Sequence, residues 1–229
     1  MKKISVAIPT YYSSNLIEET IYPLLSHKVV DEIIITDDSE DNNEYNKLSR
    51  NINNLIEGSS IKVKIFKNKK KLGGFKNKYN SISKTSNDFV YQLDSDNIPN
   101  NKSLKFIDIS PEDTFDKEVL YIPSKIFLFK KSKYETIFKP KNRIILSKKT
   151  KKITPEYLQN SLNHNINFVK DKDVTFLLNL GNPFFYKESY LKNLEKGLNK
   201  SEEVLSACSI AMSYFWASSG DISINFKDL

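Results

Sequence analysis

Phe89-Val90-Tyr91-Gln92-Leu93-Asp94-Ser95-Asp96-Asn97 is the stretch on which the fold turns. Its first five residues form a short, bounded run of aromatic, aliphatic and β-branched side chains, the pattern of a buried strand. The run empties into two carboxylates at alternate positions. Placed there, Asp94 and Asp96 can grip a hard divalent ion through oxygen, with open positions left for phosphate oxygens, as Mg2+ and Mn2+ sites do. Alone, an acidic pair of this spacing fills many loops and says little. Its meaning depends on what else arrives at the same edge of the sheet.

Three other segments share this construction. Ile4-Ser5-Val6-Ala7-Ile8 is closed by Pro9-Thr10-Tyr11, and Glu32-Ile33-Ile34-Ile35-Thr36 runs into the acidic turn Asp37-Asp38-Ser39-Glu40-Asp41. Ile61, Val63 and Ile65 alternate with Lys62 and Lys64, a pattern nearer the sheet edge, and lead through lysines to Leu72-Gly73-Gly74. Between these runs the spacing predicts helices. One starts at Asn15-x-x-Glu18, a cap with its acidic partner, and carries Leu16, Ile17, Ile21, Leu24 and Leu25, with Pro23 shortening or kinking it. A second covers residues 43–55, and a third carries Tyr79 and Ile82. Strands alternating with helices predict an α/β fold with a mainly parallel sheet and helices on both faces. Ligands bind such sheets outside the carboxyl ends of the strands, which is where all four loops fall.

The second half is less regular. Strands are expected over residues 119–129, 134–138, 143–146, 174–180 and 222–226, and helices over 154–164, 187–195 and 202–218. Gly181-Asn182-Pro183 reads as a turn. The sequence shows no internal repeat, and its softest point, near residues 110–117, divides one domain of 1–229 into halves, 1–110 and 111–229.

Composition narrows the class. The chain has 229 residues, one cysteine (Cys208) and two histidines (His27 and His164), which excludes a disulfide framework and disfavours a Cys/His zinc cluster. The 35 basic and 28 acidic residues leave a net charge of +7, which favours anionic partners without choosing among them. No run reaches the about 18 to 20 apolar residues of a membrane span, and Pro9 cuts the first apolar run too early for a leader. The expected compartment is the cytoplasm, with lysine-mediated contact at the inner face of a membrane compatible with the charge. Neither acidic cluster has the glycine and late glutamate of a Ca2+-binding EF-hand loop, the first turn lacks G-x-G-x-x-G, and no Walker A loop occurs.

Taken together, Ser5 to Tyr11, Glu32 to Ser39, Leu72-Gly73-Gly74 and Leu93 to Asp96 resemble, in order and spacing, the GT-A glycosyltransferases of family 2. The resemblance covers roughly residues 3–100 and implies a Rossmann-like GT-A fold with transfer of a sugar from a nucleotide-diphosphate sugar, with inversion, in polysaccharide biosynthesis. It implies donor binding by Pro9, Thr10, Tyr11, Asp38, Gly73, Lys78, Asp94 and Ser95. It also implies a Mg2+ or Mn2+ ion on Asp96 with Asp94 beside it. Lys78 stands where the family carries arginine, which keeps the charge but loses the bidentate fork. Residues 180–187 resemble the family's acceptor-side segment, with Lys187 again at an arginine position. Ser201-Glu202-Glu203 resembles the acidic pair that supplies the general base, Glu203 before Glu202. Acidic residues in a first helical turn also stabilise the helix dipole wherever they occur, which is the plainer account of that pair.

The implied acceptor is a saccharide or a lipid-linked molecule, recognised through the basic segment 130–152 or through a partner; nucleic acid is not expected. The lysines of residues 67–71 read either as a solvated loop or as an attractor for an anionic donor, acceptor or membrane. Phe215, Trp216 and Cys208 read as packed core. Two other functions stay open: a non-catalytic nucleotide-sugar-binding relative, and a nucleotide-sugar pyrophosphorylase. The second normally needs a glycine-rich, arginine-containing loop after the first strand, absent from this chain.

Overall fold

The computed structural model describes residues 3–99, 101–122, 125–130, 139–145, 151–153, 182–200 and 221–224, with side chains for residues 3–99, 101–121 and 182–200. The expected strands at 134–138 and 174–180, the helices at 154–164 and 202–218, and with them His164, Glu202, Glu203, Cys208, Phe215 and Trp216, lie outside the described residues.

Four parallel strands form the first half of the sheet: β1 (Ile4–Thr10), β2 (Val30–Asp37), β3 (Lys62–Lys67) and β4 (Phe89–Gln92). The remaining strands are β5 (Val119–Ile122), β6 (Lys125–Lys130), β7 (Lys139–Ile145), β8 (Lys151–Ile153), β9 (Phe184–Tyr186) and β10 (Asp221–Ile224). Eight of them make one mixed sheet in the order β3-β2-β1-β4-β9-β5-β10-β8, and β6 pairs with β7 separately. β9 runs antiparallel to both β4 and β5 and joins them. Sequence patterning read its residues only as the stretch between a turn and a helix; three residues are too few for a period to show.

The apolar runs dictate this arrangement. β1 is buried along its whole length, as a central parallel strand covered on both faces must be. Successive side chains alternate between faces. Ile4, Val6 and Ile8 join Ile33 and Ile35 in a core completed by helices α1 (Ile17–Ile21), α2 (Asn42–Leu55) and α4 (Asn101–Ile109). On the opposite face α3 (Gly74–Ser83) packs on β1 and β2, and α5 (Lys187–Leu198) packs on α3. Phe185 stacks on Tyr190 of α5 with ring centroids 3.8 Å apart. β3, the edge strand, alternates exposed lysines with half-buried Val63 and Ile65, as its pattern predicts.

Two local expectations change. Asn15 is not the cap of α1: Leu16 holds that position without a side-chain hydrogen bond, and Asn15 Oδ1 instead accepts from Lys47 Nζ at 2.6 Å. Glu44 of α2 takes over the anchoring, accepting from the Ser14 N–H at 2.8 Å and the Ser14 hydroxyl at 2.9 Å. The stretch near residues 110–117, expected to be a soft boundary, is stapled to the core by Phe115. This side chain is 4% exposed and packs edge-on to Phe89, Phe106, Tyr121 and Phe184.

Candidate functional site

Register brings the loops together. Thr10 pairs with Asp37, and Asp37 with Lys67, so β1, β2 and β3 end level with one another. Leu93 N donates to Ala7 O, which delivers Asp94 to the same rim. The loops are then tied to each other.

Asp38, 4% exposed, receives Leu72 N at 2.7 Å and Asn68 Nδ2 at 2.9 Å on Oδ1, and Gly73 N at 2.9 Å on Oδ2. A carboxylate accepting several N–H groups is a strong latch because each bond is charge-assisted. Gly73 accepts this latch with φ +80°, a backbone region that glycine enters at no steric cost. Asn77 reinforces the join: its Nδ2 donates to Thr10 O and Thr36 O, and its Oδ1 accepts from Asn68.

Lys78, buried on α3, forms an ion pair with Asp94 at 2.7 Å. Asn182, just before β9, accepts from Asp94 N at 3.2 Å and Asn97 Nδ2 at 3.1 Å. Ser95 donates to Ser13 at 2.8 Å, and its carbonyl accepts from Thr20 at 2.9 Å, so the acidic loop is fastened to the loop after β1.

Two tyrosines of the loop after β1 stay exposed beside these ties. Tyr11 is 48% and Tyr12 50% exposed, their rings edge to face at 4.8 Å. Tyr12 has φ +50°, unusual for a bulky side chain, and its N–H donates to Ser39 Oγ at 2.8 Å. Lys71 Nζ donates to Tyr11 Oη at 2.9 Å and lies 3.9 Å from Glu40. Its pKa is raised, first by the hydrogen bond to Tyr11, so it stays an ammonium through neutral pH. Asp96 is exposed.

The residues singled out from sequence therefore separate into two groups. Tyr11, Gly73, Asp94 and Asp96 reach the open rim, whereas Pro9, Thr10, Asp38, Lys78 and Ser95 are buried behind it. Thr10 turns its hydroxyl to Asp37 at 3.0 Å. Lys187 is remote from the rim: its N–H donates to Asp88 O and its Nζ to Thr85 O, at the opposite end of β4. Ser13, Asn68, Asn77 and Asn182 carry much of the join and were not singled out as site residues. Polar side chains that bond to distant loops leave no periodic signal to find them by.

Among the described residues no cluster of three or more metal-ligating side chains occurs. A Mg2+ site needs only one or two carboxylates when phosphates complete it. Asp96 makes no hydrogen bond or ion pair among the described residues, and Asp94 has a second oxygen beyond the one facing Lys78. That donor set fits such an ion. No helix among the described residues is long and apolar enough to cross a membrane.

Comparison with known proteins completes the description. A crystal structure of S. aureus TarS residues 1–349 superposes with a TM-score of 0.61 at 19% identity, covering 97% of this chain and 58% of that one. The same fragment in complex with UDP gives 0.60 at 20% identity, covering 97% and 57%, and in complex with UDP-GlcNAc 0.55 at 17%, covering 97% and 56%. At such identities the likeness is one of fold, the GT-A glycosyltransferase sheet, and the chain spans little more than half of the TarS fragment. No curated protein matches the chain by sequence. The model of "Glycosyl transferase family 2" matches residues 5–164, well over half of the chain and including all four rim loops. The chain belongs to glycosyl transferase family 2.

Proposed function

We propose that the chain transfers a sugar from a nucleotide-diphosphate sugar to an acceptor hydroxyl with inversion at the anomeric carbon, as a single GT-A domain. The observation that carries the reading is the tying of four strand-end loops to one another along one edge of the sheet, with the Tyr11 ring and Asp96 exposed on two of those loops. Tyr11 offers a face for the nucleoside. Asp38 acts by holding the Leu72-Gly73 wall against it. Lys78 balances the charge of Asp94. Asp96 with Asp94 would hold the Mg2+ or Mn2+ ion, whose chemistry is to neutralise charge on a departing diphosphate.

In the transfer, the acceptor oxygen forms a bond to the anomeric carbon as the bond from that carbon to the phosphate oxygen breaks. The electron pair leaves on the diphosphate, and the acceptor's proton passes to a carboxylate general base. Glu203, with Glu202 as the alternative, is assigned that role from the family resemblance of its segment. The acceptor is a saccharide or lipid-linked molecule met in the cytoplasm, with exposed lysines such as Lys69 and Lys70 able to approach an anionic membrane surface.

Calorimetric titration with UDP-GlcNAc and other nucleotide sugars, with and without Mn2+, tests the donor half. Binding that strengthens with Mn2+ in the wild type but not in Asp96→Ala is expected; no binding of any nucleotide sugar by the wild type would refute it. Glu203→Gln should abolish turnover and leave nucleotide affinity intact. If it does not and Glu202→Gln does, the base is Glu202.

A further inference from the structure

Asp96 sits in a tight turn. Asn97 N donates to Asp94 O at 3.0 Å, the closing bond of a β-turn with Ser95 and Asp96 at its corners. Ser95 is held by Ser13 and Thr20, and the Asp94 carboxylate by Lys78. What these ties do not reach is the mouth of the turn, where the chain enters at Asp94 and leaves at Asn97.

Asn182 closes that mouth. Its Oδ1 accepts from Asp94 N at 3.2 Å and from Asn97 Nδ2 at 3.1 Å, so one atom spans both ends of the turn. Asn182 is itself anchored by its neighbours: Pro183 O accepts from Gln92 N at 2.9 Å, and Phe184 pairs with Tyr91 of β4. The amide oxygen is therefore carried by a segment bonded to the strand that delivers Asp94. An amide also supplies this acceptor without adding a third negative charge beside Asp94 and Asp96.

We propose that Asn182 is a positioning residue of the cation site: it sets the shape of the 94–97 turn, so that the Asp96 carboxylate is in place before an ion arrives. This rests on the donor-site reading above and adds to it a residue that acts only through the turn. A single turn bond contributes about 1 kcal/mol net, too little to hold a half-exposed loop rigid. Mg2+-like ions tolerate little departure from their preferred geometry, so loosening the turn weakens the grip.

The test is calorimetric titration of Mn2+ into the full chain saturated with UDP, or with GDP if that is the nucleotide the wild type binds. Asn182→Ala should weaken Mn2+ binding about tenfold, the low end for a group that orients a metal ligand, while affinity for the nucleotide without metal stays at the wild-type value. Asn97→Ala removes one of the two donors; it should lose less, and it reads the same tie should Asn182→Ala fold poorly. The double variant should lose no more than Asn182→Ala alone, because both changes cut one tie. Unchanged Mn2+ affinity in the single variants would overturn the inference and leave the donor site standing, even with a lowered urea midpoint, since the amide would then serve stability alone. Equal losses of Mn2+ and of metal-free nucleotide would overturn it too, as would additive losses in the double variant. Failure of the wild type to bind either nucleotide, or Mn2+ in its presence, would overturn the inference together with the donor-site reading.

Discussion

Replacing Asp38 by alanine separates two roles that look alike in sequence. A carboxylate that only touches ligand can be removed with little effect on stability. Asp38 instead accepts three hydrogen bonds from the loop after β3, two of them from backbone N–H groups. Leu72 and Gly73 are half-buried, so water replaces part of what is lost. Taking about 1 kcal/mol for each bond gives a loss of roughly 3 kcal/mol. With an m-value of about 3 kcal/mol/M, the urea midpoint should fall by about 1 M. Asp38→Asn offers one oxygen for two backbone donors and should fall in between. Asp96→Ala, at an exposed carboxylate, serves as the control and should stay within about 0.5 kcal/mol of wild type. Circular dichroism against urea reads all three. An Asp38→Ala midpoint equal to that of wild type, with nucleotide binding lost, would show that the carboxylate works on the ligand and does not latch the loop.

Other substitutions give equally definite outcomes. Glu32 is buried, and burial pushes its pKa up, but hydrogen bonds from Ser5 and Ser86 and the charge of Lys64 outweigh it, so the folded value is lowered. Its stabilisation is full above the unfolded pKa and is lost as pH falls through the folded one. Glu32→Gln should therefore be about 1 kcal/mol less stable than wild type at neutral pH, with the gap closing as pH falls through the lowered folded pKa; a pH-independent gap in urea titrations would count against this. Lys78→Met leaves Asp94 without its ion pair and should lower stability by about 1 to 3 kcal/mol, with Lys78→Met/Asp94→Asn recovering part of it in a double-mutant cycle. Gly73→Ala meets no atom within 4 Å, so only the positive φ opposes it, at about 1 to 2 kcal/mol; an unchanged thermal midpoint would mean that the turn relaxes freely.

What sequence reading could see follows from what repeats along a chain. β1, β2 and β4 are central and parallel, so their apolar runs are continuous and unmistakable, and β3 shows the alternation of an edge. The four loops of the rim followed from those strands, and Pro23 did end the first helix in a 3-10 turn. Asn15 has the spacing of a cap, but Lys47 reaches it from α2 and Glu44 secures the loop beside it. Asp38 could be placed at the rim but not oriented, because its partners are backbone N–H groups more than thirty residues away. The pairing of Lys78 with Asp94 joins a helix and a loop that share no periodicity. β9 was hidden by its brevity and Phe115 by its lone position in a polar stretch.

The placement of β9 bears on how the chain is made. β4 gains its second neighbour only from residues 184–186, more than ninety positions after it leaves the ribosome. Until then, β1 to β4 can pair among themselves while one flank of β4 stands bare, a template for any passing strand. Closing that gap requires a long-range encounter, which is intrinsically slow. Nascent chains that stop short of Phe184 should therefore be the ones that aggregate or recruit chaperones, and the piece that bridges β4 to β5 is a segment of only three residues.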